Sequence, residues 1–165
     1  MSSNLTIRTV TLAPDVLTCF SVRFDVFVTE QAVPFVLEID ARDYLPSTVH
    51  ILALEDNQPV GTLRIIQDSA TSYHLGRIAV LKHARGRGLG RSLVQKAHEV
   101  LSGQVGELAL ENDNDRMVEI TLDAQEYAIE FYSRLGYHLT DRERFLDAGI
   151  WHREMKRTLS NGEGR

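Results

Sequence analysis

Arg85-Gly86-Arg87-Gly88-Leu89-Gly90-Arg91 interleaves glycines with arginines directly ahead of an apolar series at helical spacing, Leu89, Leu93, Val94, Ala97, Val100 and Leu101. Such a junction suits an anion. The first turn of a helix cannot satisfy its own N–H donors, and the helix dipole adds partial positive charge where they point. Glycines let a phosphate approach the backbone closely. A P-loop would need Gly-Lys-Ser/Thr, but Arg91-Ser92 follows Gly90 and Arg85 stands five positions before it. A dinucleotide fingerprint would need G-x-G-x-x-G, and Gly86-x-Gly88-x-Gly90 is one residue short in the second gap.

Several elements must hold this loop. Tyr73 to Leu81 is apolar and β-branched, so it reads as a strand running into the glycines, with Gly76 a candidate bulge. Upstream, Leu5 to Val10 alternates as a first strand, and Pro14-Asp15 opens a helix carrying Leu17, Phe20, Phe24 and Phe27. Val22, Phe24, Val26 and Val28 also alternate with period two, a competing signal. A long connection from Ala32 to Thr48, with a short helix near Leu37 to Ala41, carries Glu38, Asp40 and Asp43. His50 to Glu55 and Val60 to Gln67 form a hairpin across Asp56-Asn57.

Downstream, Ser102 to Arg116 reads as an extended helix-to-strand link with a solvated Asn112-Asp-Asn-Asp115 run, which lacks the Gly and distal Glu of an EF-hand loop. Met117 to Leu122 is the next strand. A helix from about Gln125 to Leu135 ends at Gly136 as a left-handed cap. Tyr137 to Thr140 and Ile150 to Lys156 are final strands around an Asp147-Ala-Gly149 loop. The chain is read as one domain over 1–158, with 159–165 a frayed tail.

The loop resembles the Arg/Gln-x-x-Gly-x-Gly/Ala pyrophosphate loop of the GCN5-related N-acetyltransferases (GNAT), matched by Arg85, Gly88 and Gly90. Ile78-Ala79-Val80 before it and Leu122-Asp-Ala-Gln125-x-x-Ala128-x-x-Phe131-Tyr132-x-x-Leu135-Gly-Tyr137 after it follow in the family's order. Val26-Phe-Val-x-Glu30-Gln31-x-Val33-Pro34, Glu38-x-Asp40-x-x-Asp43, His50, Gly61-Thr62-x-Arg64, Gly76-Arg77 and Gly149-Ile150-x-His152 are similar to the ElaA/YjcF-type branch.

The resemblance implies an α/β fold of α+β type, the acyl-CoA N-acyltransferase fold. Its mixed central sheet, flanked by helices, splays between the fourth and fifth strands. It implies acetyl-CoA as cosubstrate, held at Arg85, Gly86, Arg87, Gly88, Leu89, Gly90 and Arg91, with the pantetheine arm pairing along Ile78, Ala79 and Val80 and meeting Gln125. The acceptor is a primary amine of a small molecule or peptide. Tyr132 matches the general acid that protonates the leaving thiolate, and Glu30 and His152 are the candidate base or acceptor-binding groups. Glu38, Asp40, Asp43, His50, His74 and Asp123 are further candidates. The resemblance is compatible with a homodimer meeting through the last strands.

The formal net charge of -5 disfavours nucleic acid and suits a cationic acceptor, so the cluster of Lys82, His83, Arg85, Arg87 and Arg91 is assigned to phosphates. Cys19 is the single cysteine, which rules out an internal disulfide and a Cys-based zinc site; it reads as a core residue, and no metal is expected. No run of about 20 apolar residues is present to cross a bilayer, and Met1-Ser-Ser-Asn-Leu-Thr lacks the features of a signal peptide. A cytoplasmic location is expected, with nuclear access compatible. The rival reading is a non-catalytic acyl-CoA-binding regulatory module, which would keep the glycine loop and dispense with Tyr132.

Overall fold

The computed structural model describes residues 4–11, 13–112 and 117–160, with the backbone alone described for 105–112. The chain forms two compact units, one of Met1–Ile66 and Gly76–Ala97, the other of Gln67–Leu75 and His98–Arg165. Strands run in the order β1 (Leu5–Val10), β2 (Val49–Glu55), β3 (Gln58–Ser69), β4 (Ser72–Val80), β5 (Val118–Gln125), β8 (Ile150–Leu159) and β6 (His138–Leu139), with β7 (Phe145–Asp147) paired to β8, and β3 and β4 contribute residues to both units.

In the first unit, β1 (Leu5–Val10) pairs antiparallel with β2 (Val49–Glu55), and β2 with β3 (Gln58–Ser69). Asp56 and Asn57 both take positive φ, 49° and 65°, the conformation a two-residue hairpin turn requires. Helix α1 (Ala13–Arg23) lays Cys19 against Val10 and Leu52, so the lone thiol is a core residue. The competing periods in this region resolve into a change of helix type. From Phe24 to Glu30 the turns widen to π geometry, and the Gln31 amide bonds the Val26 carbonyl at 3.1 Å. Val22 and Val26 then pack on Ala79 while Phe24 faces outward.

The connection to β2 holds α2 (Phe35–Glu38) and a 3-10 turn, Ala41–Tyr44. Strand β4 (Ser72–Val80) gives Gly76–Val80 to this unit. Helix α3 starts at Leu89 and extends to Asn112, so most of the expected 102–116 link is helical. Gly103 and Gly106 look like breakers, but an internal glycine costs only about 1 kcal/mol against alanine, and Gln104, Glu107, Leu108 and Ala109 favour the helix. The remainder of that link, 113–116, lies outside the described residues.

In the second unit, β4 pairs in parallel with β5 (Val118–Gln125) from Ser72↔Glu119 to Leu75↔Leu122. β5 runs antiparallel to β8 (Ile150–Leu159), from Val118↔Leu159 to Gln125↔His152. The sheet is therefore mixed, as expected. Pairing with β8 extends β5 past Leu122 through Gln125. The expected helix from Gln125 thus reduces to a 3-10 turn (Glu126–Ala128) and the short α4 (Ile129–Ser133). Gly136 closes α4 at φ 84°, with the Tyr137 amide on the Tyr132 carbonyl at 3.1 Å.

β6 is His138–Leu139, and β7 (Phe145–Asp147), which the sequence pattern did not reveal, pairs with β8 across Ala148 (φ 48°) and Gly149 (φ 78°). Leu159, assigned to the tail, is the buried last residue of β8, and 161–165 lie outside the described residues.

Candidate functional site

The glycine loop belongs to the first unit. After β4, the Leu81 amide bonds the Val60 carbonyl at 2.9 Å and a single 3-10 turn, Lys82–Ala84, buries Ala84. Gly86 and Gly88 then take φ 77° and 80°. A Cβ at either would meet nothing within 4 Å, so glycine is required here for backbone conformation rather than for space. Among the described residues, none of the amides of 86–91 donates to a backbone acceptor, whereas Arg85 bonds Lys82 and Ser92 bonds Gly88. These N–H groups stand at the N-terminus of a long helix, where an anion is favoured.

Arg85 and Arg87 of the loop hold carboxylates. Arg85 clasps Glu30 with Nη1–Oε1 2.5 Å and Nη2–Oε2 2.7 Å while its Nε donates to the Val80 carbonyl at 2.9 Å. Arg87 grips Glu55 at 2.7 and 2.9 Å. Hydrogen bonds from Arg85 pull the Glu30 carboxyl below its ordinary range, so Glu30 is ionised.

The acidic connection turns inward. Buried Arg23 donates to Glu38 Oε1 (2.5 Å), to Asp43 (2.7 and 3.1 Å) and to the Glu38 carbonyl. Arg64 reaches Asp43 at 2.7 Å and Asp40 at 3.1 and 3.3 Å. Arg77 donates to the carbonyls of Leu37 (3.0 Å) and Glu38 (3.1 Å). Burial works against the charge of Asp43, yet hydrogen bonds from Arg23, the Asp40 amide and Arg64 win and hold its carboxyl well below the usual range. Burial prevails at Glu38 and raises its carboxyl. His50 Nε2 donates to the Asp43 carbonyl at 3.0 Å, and burial lowers its pKa. Glu38, Asp40 and Asp43 thus fix this connection to α1, β3 and β4, and His50 ties it to β2.

Sequence reasoning missed Arg23, Arg64 and Arg77 as the counterparts. A signal was available, since Arg23 sits three residues after Phe20 on the apolar face of α1 and Arg64 interrupts the apolar run of β3.

The other candidates lie in the second unit. Gln125 and His152 are cross-strand partners at the end of the β5–β8 ladder. His152 is buried, stacks on Phe145 (centroids 5.9 Å apart) and bonds the Ile150 carbonyl through Nδ1 at 2.8 Å. A carbonyl only accepts, so Nδ1 carries the proton and, in the neutral ring, Nε2 keeps the lone pair a base needs. His74 lies 3.2 Å from Thr121 Oγ1 and 3.7 Å from Asp123, a local pair on neighbouring strands.

Tyr132 projects from α4 with 9% of its surface exposed, edge-on to Phe131 and Tyr137. Burial raises its pKa above that of a free phenol. Tyr137, unassigned from the sequence, shares a 2.8 Å hydrogen bond with His98 Nε2, and the Arg157 guanidinium lies beside the imidazole, 3.5 Å from its Nδ1. A hollow of about 670 Å³ in this unit is lined by Arg142, Arg144, Trp151 and Arg153 and contains none of the candidate residues. Among the described residues, no group of three or more His, Cys, Asp or Glu could hold a metal, and no helix is long and apolar enough to cross a membrane.

The mixed sheet, partly parallel at β4–β5, is that of the acyl-CoA N-acyltransferase fold. The chain belongs to the GNAT family: the profile of the Acetyltransferase (GNAT) domain matches residues 21–159. Among relatives, the uncharacterized N-acetyltransferase YjcF of Bacillus subtilis is 35% identical, covering 82% of this chain and 87% of YjcF. The uncharacterized protein YyaT of the same organism is 32% identical, covering 94% and 97%. A crystal structure of an acyl-CoA N-acyltransferase from Pseudomonas aeruginosa superposes with TM-score 0.76 at 27% identity, covering 94% of this chain and 99% of that one. Escherichia coli ElaA shares the fold with TM-score 0.76 at 24% identity, covering 93% and 99%. Membership carries acyl-CoA-dependent N-acyltransferase activity.

Proposed function

We propose that the chain transfers the acetyl group of acetyl-CoA directly to a primary amine of a small molecule or peptide. The observation that carries this reading is the run of unpartnered amides at 86–91, set on Gly86 and Gly88 at the start of a long helix. These donors take the diphosphate of the coenzyme, with Arg85, Arg87 and Arg91 as cationic partners. The backbone of Ile78, Ala79 and Val80 bonds the amides of the pantetheine arm as an added strand would, and Gln125 meets the same arm.

Transfer needs a neutral amine. An ammonium of pKa about 10.4 is neutral in only roughly one part in 2500 at pH 7, a cost of about 4.6 kcal/mol, so a base must take a proton. Two groups are candidates. His152 has its Nδ1 committed to a carbonyl, which leaves Nε2 as the nitrogen with a lone pair in the neutral ring, whereas Glu30 is ionised but clasped by Arg85, which weakens it as a proton acceptor and suits it better to holding a cationic amine. The amine nitrogen attacks the thioester carbon, the C–S bond breaks, the departing thiolate takes its proton from Tyr132, and the proton shed by the newly acylated nitrogen restores the phenol. Burial keeps that phenol protonated across the physiological range, so it meets the thiolate as a hydrogen-bond donor, though as a weaker acid than a free phenol. Holding amine and thioester together contributes about 7 to 11 kcal/mol, more than either proton transfer.

A thiol-release assay over amino sugars, polyamines, lysine peptides and amino acids tests this. Release dependent on one class of amine is the expected result. Tight coenzyme binding with no acceptor-dependent release identifies a regulatory acyl-CoA-binding module instead.

A further inference from the structure

Arg77 departs from the extended backbone of its strand. Within β4 it takes φ 52°, the left-handed region that side chains of this size rarely adopt. The residue before it is Gly76, and the parallel ladder to β5 reaches only as far as Leu75. A strained residue of this kind persists where its surroundings over-determine it.

The side chain shows what does so. Its Nη2 donates to the Leu37 carbonyl at 3.0 Å and its Nε to the Glu38 carbonyl at 3.1 Å. Glu38 Oε2 and Asp40 Oδ2 lie 3.5 and 3.8 Å from the guanidinium. Those acceptors cannot yield, because Glu38 is held by Arg23 and Asp40 by Arg64. Arg23 and Arg64 sit in regular backbone. Arg77 alone of the three joins the buried charges to a kink in a strand.

We infer that Arg77 is a positioning residue whose grip on the Leu37 and Glu38 carbonyls holds the left-handed kink of β4 and so sets the direction of the Ile78–Val80 backbone. A left-handed residue turns the peptide planes that follow it, and with them the N–H and C=O groups of Ile78 to Val80. The assignment rests on the proposed function, in which those groups bond the pantetheine arm. The same contacts tie the end of α2 to the coenzyme strand, so one side chain fixes two segments.

Arg77→Gly and Arg77→Ala separate the grip from the kink. Both remove the guanidinium, but glycine takes positive φ freely and alanine does not. Calorimetry with coenzyme A should find Arg77→Gly within about threefold of wild type and Arg77→Ala weaker by about tenfold. A residue that merely filled space in a strand gives the reverse order, since alanine suits strands better than glycine. Equal affinities, or tighter binding by Arg77→Ala, overturn the assignment.

If the alanine variant does not fold, Arg77→Lys replaces it. It keeps the charge but cannot span two carbonyls, so about threefold to tenfold weaker binding with a melting temperature near wild type is expected. Wild-type affinity in that variant also overturns the assignment. Wild-type protein that binds no coenzyme A removes the proposed function and the assignment together, whereas binding by wild type with the wrong order among variants removes the assignment alone.

Discussion

Glu30 and Arg85 close a two-pronged ion pair between the last residue of the π-helical segment and the first residue of the glycine loop, at 2.5 and 2.7 Å. A candidate base and a candidate phosphate ligand are therefore partners, and altering one changes the other. Arg85→Ala should weaken coenzyme A by about 10 to 100 fold, the range of a charge-assisted hydrogen bond. Glu30→Gln should leave that affinity unchanged or raise it, because the guanidinium loses its internal competitor. If both variants lose affinity equally by calorimetry, the pair is a structural unit and Glu30 is not the base.

Tyr132→Phe should lower turnover by about 10 to 1000 fold and leave coenzyme affinity within about twofold. Because burial raises this phenol, loss of its proton cannot produce a falling limb of the rate profile below about pH 10. Wild-type turnover in the phenylalanine variant excludes Tyr132 from the chemistry.

Asp43→Asn should destabilise the fold by about 3 to 5 kcal/mol at pH 7, because Arg23 and Arg64 lose a buried partner. The pH dependence has a definite sign. The folded pKa of Asp43 lies below its unfolded value, so its contribution is complete above about pH 4 and is lost as pH falls toward the folded pKa. Denaturant titrations at pH 7 and pH 3 should show the gap between wild type and variant narrowing at the lower pH.

Burial, followed by the Arg157 charge, pushes His98 down to about 4. The folded protein therefore holds a neutral imidazole where the unfolded chain, with a pKa near 6.5, already binds a proton. Stability should fall as pH drops from about 6.5 to about 4 and then stop responding to this group. His98→Gln should flatten that slope in a urea series; an unchanged slope assigns it to other groups.

The glycine loop and the strand before it were legible because each depends on local chemistry: positive φ at Gly86 and Gly88, and an apolar run through Val80. Gly136 as a helix cap is readable for the same reason. Features set by partners distant in sequence were not. β5 extends to Gln125 because β8 pairs with it, and β7 exists because Ala148 and Gly149 turn Phe145 back onto His152. Glu38, Asp40 and Asp43 look like a solvated acidic loop until the arginines that face them, remote in the chain, are known.

The connection carrying Phe35, Val36 and Leu37 is fastened from beneath by buried ion pairs, and these side chains remain 55%, 81% and 52% exposed. Apart from the edge-on contact of Phe35 with Phe24, the anchoring of this segment therefore rests on other residues than these three. Lineages could exchange these three residues, and with them whatever this ridge touches, without re-solving the problem of keeping the segment in place.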